Sequence, residues 1–400
     1  RENRRKRNQI PPDLIYTILR EMGGESRDKR SIGGAMSNGE TLTFDIQKNP
    51  NSATASEREA LLQNPGFGRV FTDHMVTIRY SQDRGWHSAK IEPRKALALD
   101  PATVVLHYAQ EIFEGMKAYH LPDGGAALFR PSANAQRFHN SAERLAMPPL
   151  PEKLFVESVR ELVKIDREWI PTAEGSSLYL RPFMIGSEAA LGTRPATDYL
   201  YCVVASPVAS YFKGGASAVT LWLSENYTRA APGGTGAAKC GGNYAASLSA
   251  LAEGQREGCE QVVFLDAVEK RWIEELGGMN IFFVFKDGSL QTPPLTGTIL
   301  PGITRDSLIK LGRDMGLTVR EEPYSIEQWQ ADAESGRLSE AFACGTAAVV
   351  TPIGKLKGRK HGFTIGDGNA GPTTLRLKAA LTDIQFGRAP DKHEWLDRLF

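Results

Sequence analysis

A single lysine among five glycines, in the stretch PGGTGAAKCGGNYAAS (Pro232 to Ser247), constrains the fold more than any other part of the chain. Glycine and alanine leave little side-chain volume around Lys239, so the backbone here can approach other groups closely. Three kinds of site use such a stretch: a phosphate cradle, a dinucleotide-binding turn, and a lysine kept accessible for covalent chemistry. A solvated lysine in a glycine-rich loop is the ordinary alternative.

The first two kinds of site need a spacing that this stretch lacks. A phosphate-binding P-loop places Ser or Thr directly after its lysine, whereas Cys240 follows Lys239. A dinucleotide-binding turn that starts at Gly234 needs its third glycine where the chain has Lys239. Of the three kinds of site, the lysine for covalent chemistry remains. A lysine that forms a Schiff base needs an accessible amine whose pKa is lowered by burial or by a neighbouring cation.

Charge, hydropathy and cysteine spacing exclude several classes of partner. Lys plus Arg (48) nearly balances Asp plus Glu (47), which argues against nucleic acid and membrane surfaces and favours small neutral or zwitterionic molecules. No apolar run approaches the roughly 20 residues that a membrane span needs. The four cysteines are isolated and show no metal-ligand spacing, so we expect no metal site. We expect the cysteines to be free thiols in a reducing, cytoplasmic compartment.

The chain of 400 residues is long enough for two domains. Residues 1–36 are rich in charge and poor in hydrophobic pattern, so we expect an extension outside the fold, with a mitochondrial transit peptide as the alternative. We then predict a small α/β domain over 37–205, a linker over 206–216 and a large domain over 217–400. The linker prediction depends on the breakers Pro207, Gly214 and Gly215.

Hydrophobic periodicity predicts a mixture of helices and strands. MVTIRYS, TVVLHYA and LYCVVASPVA are typical of strands, and ANAQRFHNSAERLAM and PEKLFVESVRELVKIDREWI of helices. GMNIFFVFKDGSLQTPP predicts a hairpin that turns at Asp287-Gly288. Further helices are predicted at NYAASLSALAEGQ, TRDSLIKLGRDMG, SIEQWQADAESG and TTLRLKAALTDIQFG.

Pyridoxal phosphate is a cofactor held by a Schiff-base lysine, and its ring has two candidate partners here. Glu275, in WIEELGGMNIFF, is a carboxylate for the pyridine nitrogen, beside two glycines that let a ring approach the backbone. Tyr244, five residues after Lys239, is a donor for the phenolic oxygen. A surface glutamate and a packed aromatic residue are the ordinary alternatives.

The cofactor phosphate also has candidate partners. LPGITRDSL places Ile303 and Thr304 at a predicted helix N-terminus, where free backbone amides and the helix dipole favour an anion. Arg137 and Thr346 can add a charge and a hydroxyl group. Without the lysine, each would more often be a helix cap, a surface arginine or a strand threonine.

Several segments together resemble one family, the branched-chain amino-acid aminotransferases, which are class IV aminotransferases of pyridoxal-phosphate fold type IV. The segments are FRPSANAQRF, LYLRPFMIGSEAALG, KCGGNY, EELGGMNIFF, LPGITRDSL, ACGTAA and HYAQEIFEGMKAY. The resemblance implies an α/β (α+β) fold with a smaller N-terminal α/β domain, a larger strand-rich C-terminal domain and the cofactor at their interface. It also implies ping-pong transamination between L-leucine, L-isoleucine or L-valine and 2-oxoglutarate through a Schiff base on Lys239.

The resemblance further implies roles for individual residues. The implied cofactor-binding residues are Arg137, Lys239, Tyr244, Glu275, Ile303, Thr304 and Thr346. The implied substrate-binding residues are Tyr108, Phe113, Tyr179, Arg181, Tyr211, Thr346 and Ala347. Arg181 would meet the second carboxylate of glutamate, since a buried anion needs a paired cation. Tyr108 and the loop around Leu191 would reach across the interface of a homodimer or a higher homo-oligomer.

Two other functions stay open on the sequence. A D-amino-acid or R-selective amine transaminase would share the fold and the cofactor, although FEGMKAY and the Tyr179-Leu180-Arg181 unit favour branched-chain L-substrates. A cofactor-binding protein without activity is a different class, and the intact set of candidate residues argues against it.

Overall fold

The computed structural model describes residues 42–209 and 218–400. Within these two ranges the chain forms eighteen β-strands and eight α-helices, and the strands make two nine-stranded sheets. The predicted extension over 1–36 and most of the predicted linker, including Tyr211, lie outside the described residues. The domain boundaries therefore stay predictions.

The first sheet comes mostly from the first half of the chain. Its strands are β1 (Asp45–Ile46), β2 (His74–Ser81), β3 (Gly85–Pro93), β4 (Glu111–Phe113), β5 (Met116–His120), β6 (Ala126–Phe129), β7 (Ser177–Gly186), β8 (Asp198–Val208) and β18 (Leu396–Arg398). They lie in the order β1-β3-β2-β8-β7-β5-β6-β18, and β4 pairs with β7. Because β18 pairs with β6, the end of the chain returns to this sheet.

The second sheet lies beyond residue 218. Its strands are β9 (Val219–Ser224), β10 (Gln261–Leu265), β11 (Ile273–Leu276), β12 (Asn280–Phe285), β13 (Leu290–Thr292), β14 (Val319–Glu321), β15 (Leu338–Gly345), β16 (Val349–Lys357) and β17 (Gly362–Thr364). Their order is β11-β10-β9-β16-β15-β12-β13-β14, with β17 on β16. The predicted β12–β13 hairpin is confirmed, and Gly288 in its turn has a φ of 81° that favours glycine.

Helices connect and cover the strands. They are α1 (Ala55–Gln63), α2 (Val104–Tyr108), α3 (Pro131–Arg144), α4 (Glu152–Ile165), α5 (Gly241–Arg256), α6 (Ile303–Asp314), α7 (Ile326–Glu334) and α8 (Pro372–Gln385). The six helices predicted from the sequence are all present, as α3 to α8. None of the helices in the described ranges is both long enough and apolar enough to cross a membrane.

The strand predicted for TVVLHYA is wrong, because Val104–Tyr108 form the short helix α2. A turn starts this helix: the Asp100 side chain accepts a hydrogen bond from the Ala102 amide (2.7 Å), and the Asp100 carbonyl accepts one from the Thr103 amide (2.9 Å). Ala109, in the left-handed conformation, ends it. Local turn chemistry thus overrides the β propensity of the apolar run.

Each sheet is packed against helices through large buried side chains. The Phe138 ring on α3 lies 5.3 Å from the Phe155 ring on α4 and 5.6 Å from the Tyr201 ring on β8. On the second sheet, Trp329 of α7 packs edge-on against Phe283 of β12 at 5.0 Å. Two sheets covered by helices confirm the expected α/β (α+β) class.

Candidate active site

The glycine-rich stretch forms tight turns between β9 and α5. The Asn243 side-chain amide donates to the carbonyls of Thr235 (2.8 Å) and Ala238 (2.9 Å), which ties the turns to the start of α5. Gly236 lies so close to another segment that a β carbon there would overlap the Thr298 carbonyl. The hydrogen bonds of Asn243 and the close packing at Gly236 therefore fix the path of the chain into the lysine.

Lys239 is held by its backbone and by its side chain. Its amide donates to the Ser141 hydroxyl on α3 (2.9 Å), and its carbonyl accepts from the Phe113 amide on β4 (2.9 Å). Its Nζ donates to the Tyr244 hydroxyl (2.8 Å) and lies 4.8 Å from the centre of the Phe113 ring. The residue is half-buried and its amine is enclosed, so it is not a solvated loop lysine.

This enclosure changes the acid–base properties of both partners. Removal from water, and then the positive charge of Arg137, lower the pKa of Lys239 from 10.5 to about 8. At pH 7 about a tenth of a group with that pKa is the neutral amine. Burial also raises the pKa of Tyr244 to about 12, so its hydroxyl keeps its proton near neutrality.

Glu275 lies near the end of β11, and its side chain is only 2% exposed, so it is not a surface glutamate. Its Oε1 accepts from the Leu300 amide (2.8 Å) and forms an ion pair with the Arg229 guanidinium (2.8 Å). Its Oε2 accepts from the Asn280 side chain at 3.2 Å. Burial raises the pKa of Glu275 to about 7, and Arg229 opposes that rise.

Arg137 projects from α3 and is paired rather than free. Its Nε and Nη2 donate to the two oxygens of Glu114 (2.7 and 2.8 Å), and its Nη1 donates to the Pro301 carbonyl (3.3 Å). The Glu114 side chain is fully buried. Such a two-point pair fixes the plane of the guanidinium group.

The other candidate phosphate partners come together around one small cavity. Helix α6 begins at Ile303, as predicted, and Ile303, Thr304 and Thr346 line a cavity of about 20 Å³. Lys117 lines it too, and its Nζ donates to the Ala347 carbonyl (3.0 Å). Lys117 is buried, and burial lowers its pKa to about 8.

Aromatic side chains and one arginine form a wall beside the lysine. The Phe113 ring lies 5.0 Å from the Tyr244 ring, and the Arg181 guanidinium lies 4.8 Å from the Phe113 ring. Arg181 also donates to the Tyr179 hydroxyl (2.9 Å), because positions two apart on β7 share a face. Gly115 leaves room for that hydroxyl, which a β carbon would overlap.

Tyr108 contacts Leu191 rather than the wall beside the lysine. The residue is 41% exposed, and its hydroxyl donates to the Leu191 carbonyl (2.6 Å). Leu106 and Leu191 are also exposed, at 58% and 66%. Within the described part of the chain, these three side chains are thus open to solvent. Tyr211 lies outside the described residues.

Residues 111–356 match the protein family described as Amino-transferase class IV. The branched-chain-amino-acid aminotransferase of Mycolicibacterium smegmatis is 53% identical over 90% of this chain and 98% of its own length. The chain belongs to the branched-chain-amino-acid aminotransferases of class IV. The matched range begins after Tyr108 and includes every other predicted site residue.

Solved structures of the same family share this fold. The branched-chain amino acid aminotransferase of Escherichia coli is 30% identical, with a TM-score of 0.69 over 82% of this chain and 99% of that chain. The T.th. enzyme of the same name, solved with pyridoxamine 5'-phosphate, is 29% identical, with a TM-score of 0.68 over 81% of this chain and 98% of that chain.

The candidate site of this class IV aminotransferase contains four buried polar residues to which the sequence analysis gave no role: Glu114, Lys117, Arg229 and Asn280. Glu114 and Lys117 lie within the segment FEGMKAY. Charged residues among apolar ones in that segment indicate side chains that are buried with a polar partner. Asn280 stands within EELGGMNIFF. Only Arg229 lies outside the quoted motifs, ten residues before the lysine, and no local pattern indicates its contact.

We predict that Gly236→Ala lowers stability and Gly242→Ala does not. The first substitution forces a β carbon into the Thr298 carbonyl, an overpacking that costs about 1–3 kcal/mol. At Gly242, an added β carbon meets no atom of the described residues within 4 Å, and alanine is the better helix former in α5. Urea unfolding of the two variants and the wild type measures the difference, and equal losses for both would contradict the packing described for Gly236.

Proposed function

We propose that this chain transfers the amino group of L-leucine, L-isoleucine and L-valine to 2-oxoglutarate with pyridoxal phosphate held covalently by Lys239. The products are branched-chain 2-oxo acids and L-glutamate, formed in two half-reactions of a ping-pong cycle. The main support is the enclosed Lys239 amine on Tyr244, with its pKa of about 8, in a chain of this family. The pyridoxamine 5'-phosphate in the T.th. relative also supports it.

The residues around Lys239 fit the ring of this cofactor. Oε2 of Glu275 accepts one hydrogen bond, at 3.2 Å, and so retains capacity for a ring N–H. Among the described residues, a β carbon at Gly278 would meet only the Tyr244 ring, at 3.5 Å, which leaves room for a flat molecule. The protonated Tyr244 hydroxyl suits the phenolic oxygen.

The phosphate group would be held at the N-terminus of α6. The amides of Ile303 and Thr304 lack partners within the helix there, and the helix dipole favours an anion. Arg137 would add a positive charge and Thr346 a hydroxyl group. Because Glu114 fixes the Arg137 guanidinium, that charge is already oriented before an anion arrives.

The protein supplies the proton transfers. When bound, the cofactor provides an electron sink for the charge that forms as the α carbon of the substrate loses its proton. Once the substrate amine has displaced Lys239 from the cofactor, the freed Lys239 Nζ would take that proton as a general base and later return one as a general acid. Its lowered pKa provides neutral amine near physiological pH, and the 2.8 Å contact with Tyr244 orients it.

The aromatic wall and Arg181 suit both branched-chain amino acids and glutamate as substrates. Phe113 and Tyr179 offer apolar faces to a branched side chain, and Arg181 would pair with the second carboxylate of glutamate. Tyr179 and the amides of Thr346 and Ala347 would bind the carboxylate that every substrate carries. By resemblance, Tyr211 contributes to the same pocket.

The proposed working unit is at least a homodimer in the cytoplasm. A second copy of the chain would cover the exposed side chains of Leu106, Tyr108 and Leu191, and so bring Tyr108 to the partner's substrate pocket. The cytoplasmic location is supported by the four cysteines, all within the described ranges and all free, since thiols persist in a reducing compartment.

The lowered pKa of Lys239 predicts how the cofactor-free chain reacts with pyridoxal phosphate at different pH values. A lysine with a pKa of about 8 loses its proton as pH rises through 8, and only the neutral amine attacks the aldehyde. The attachment rate should rise about tenfold from pH 6 to pH 7 and level off above pH 8. Stopped-flow absorbance measures it, and a rate that keeps rising to pH 10 would contradict the lowered pKa.

A substrate assay tests the function directly. We expect turnover of L-leucine with 2-oxoglutarate, no turnover of D-alanine, and a visible absorption band from the bound cofactor. Lys239→Ala should lose both the band and the turnover, whereas Lys95→Ala, which changes an exposed lysine, should keep both. Turnover of D-alanine alone would identify the alternative transaminase, and a colourless wild type would overturn cofactor binding.

A further inference from the structure

Arg229 is the buried ion-pair partner of Glu275, and the proposed function gives it no part of its own. It lies between β9 and the glycine-rich stretch, and its side chain is 1% exposed. One nitrogen, Nη1, contacts Glu275 Oε1 at 2.8 Å and donates to the Thr298 carbonyl at 3.0 Å. The segment between β9 and α5 thus contains both Arg229 and, ten residues later, Lys239.

Glu275 needs such a cation because its surroundings oppose a negative charge. Its side chain is 2% exposed, and a buried carboxylate without a counter-charge takes up a proton. The titratable and charged groups that act on it are Arg229, Lys239, Glu274, Tyr244 and Cys344. Of these, Arg229 is the one in ion-pair contact, and its effect on the pKa of Glu275 exceeds that of Lys239.

The two carboxylate oxygens have different surroundings. Oε1 is used by Arg229 and by the Leu300 amide, both at 2.8 Å. Oε2 receives only the longer contact from Asn280, at 3.2 Å, among the described residues. Asn280 also donates to the Leu300 carbonyl (3.0 Å), so the carboxylate is held in one orientation from both sides. The arginine therefore takes one oxygen and leaves the other with acceptor capacity.

We propose that Arg229 is a positioning residue that favours the ionised form of Glu275 and holds it turned so that Oε2 accepts the N–H of the cofactor ring. This role rests on the proposed function, because it concerns the ring nitrogen of pyridoxal phosphate. Without Arg229, Glu275 holds its own proton and no longer favours a protonated ring nitrogen. Arg229 itself contacts neither substrate nor reacting atoms.

A cofactor analogue separates this role from a merely structural one. In 1-deazapyridoxal phosphate a C–H group replaces the ring nitrogen, so Glu275 has no N–H to accept. The full chain is freed of cofactor, and dissociation constants for both compounds are measured by quenching of tryptophan fluorescence. The readout is the preference for pyridoxal phosphate over the analogue, which requires no turnover.

We expect Arg229→Met to lower this preference at least about tenfold, the scale of losing a charge-assisted hydrogen bond. Arg229→Lys, which keeps the charge, should retain most of the preference and provides the measurement if the methionine variant does not fold. Arg337→Met breaks the pair between Arg337 and Asp332, neither of which is among the groups that act on Glu275, and should leave the preference unchanged. In a Glu275→Gln background, Arg229→Met should have no further effect.

Two results would overturn the role of Arg229 alone. One is an equal loss of affinity for both compounds in Arg229→Met and Arg229→Lys, which indicates a structural clamp. The other is an unchanged preference in Arg229→Met. A wild-type chain that binds neither compound would instead overturn the proposed function, and this role with it.

Discussion

The enclosed amine of Lys239 is the constraint on which the rest of the site depends. An ammonium group loses hydration when it is enclosed, so the protein must lower its pKa or supply a counter-charge. Here the pKa falls to about 8, with Arg137 adding to the effect of burial, and Tyr244 Oη accepts the hydrogen bond at 2.8 Å. Gly236 serves this placement by allowing close backbone packing against Thr298. The stretch therefore positions an amine, and the proposed phosphate site lies elsewhere, at the start of α6.

Two buried ion pairs hold charged groups of opposite sign around that amine. Glu114 fixes Arg137 through two hydrogen bonds, and Arg229 fixes Glu275 through one carboxylate oxygen. Pairs of this kind add little net stability, because desolvation offsets their attraction, but breaking one leaves an uncompensated buried charge. Their value here lies in orientation: each presents a defined edge of a charged group to the proposed cofactor.

Much of the fold was predictable because its signals are local. The apolar stripe of α4 and the Asp287-Gly288 turn identify their elements without reference to the rest of the chain. Prediction failed at Val104–Tyr108, where β-branched and aromatic residues favour a strand but the Asp100 turn starts a helix. In the site, the short spacing of Lys239 and Tyr244 made both of them candidate cofactor partners, and the structure brings their side chains into contact. The contact of Arg229 with Glu275 joins residues 46 positions apart through the fold, and no spacing rule reveals it.

The central claim is that Lys239 is the residue to which the cofactor is attached. Lys117 is the informative competitor, since burial lowers its pKa to about 8 as well. Borohydride reduction of the enzyme as purified, followed by proteolysis and mass spectrometry, locates the attached group. We predict a phosphopyridoxyl group on the peptide that contains Lys239. A label on Lys117 or on another lysine, or no label at all, would contradict this assignment.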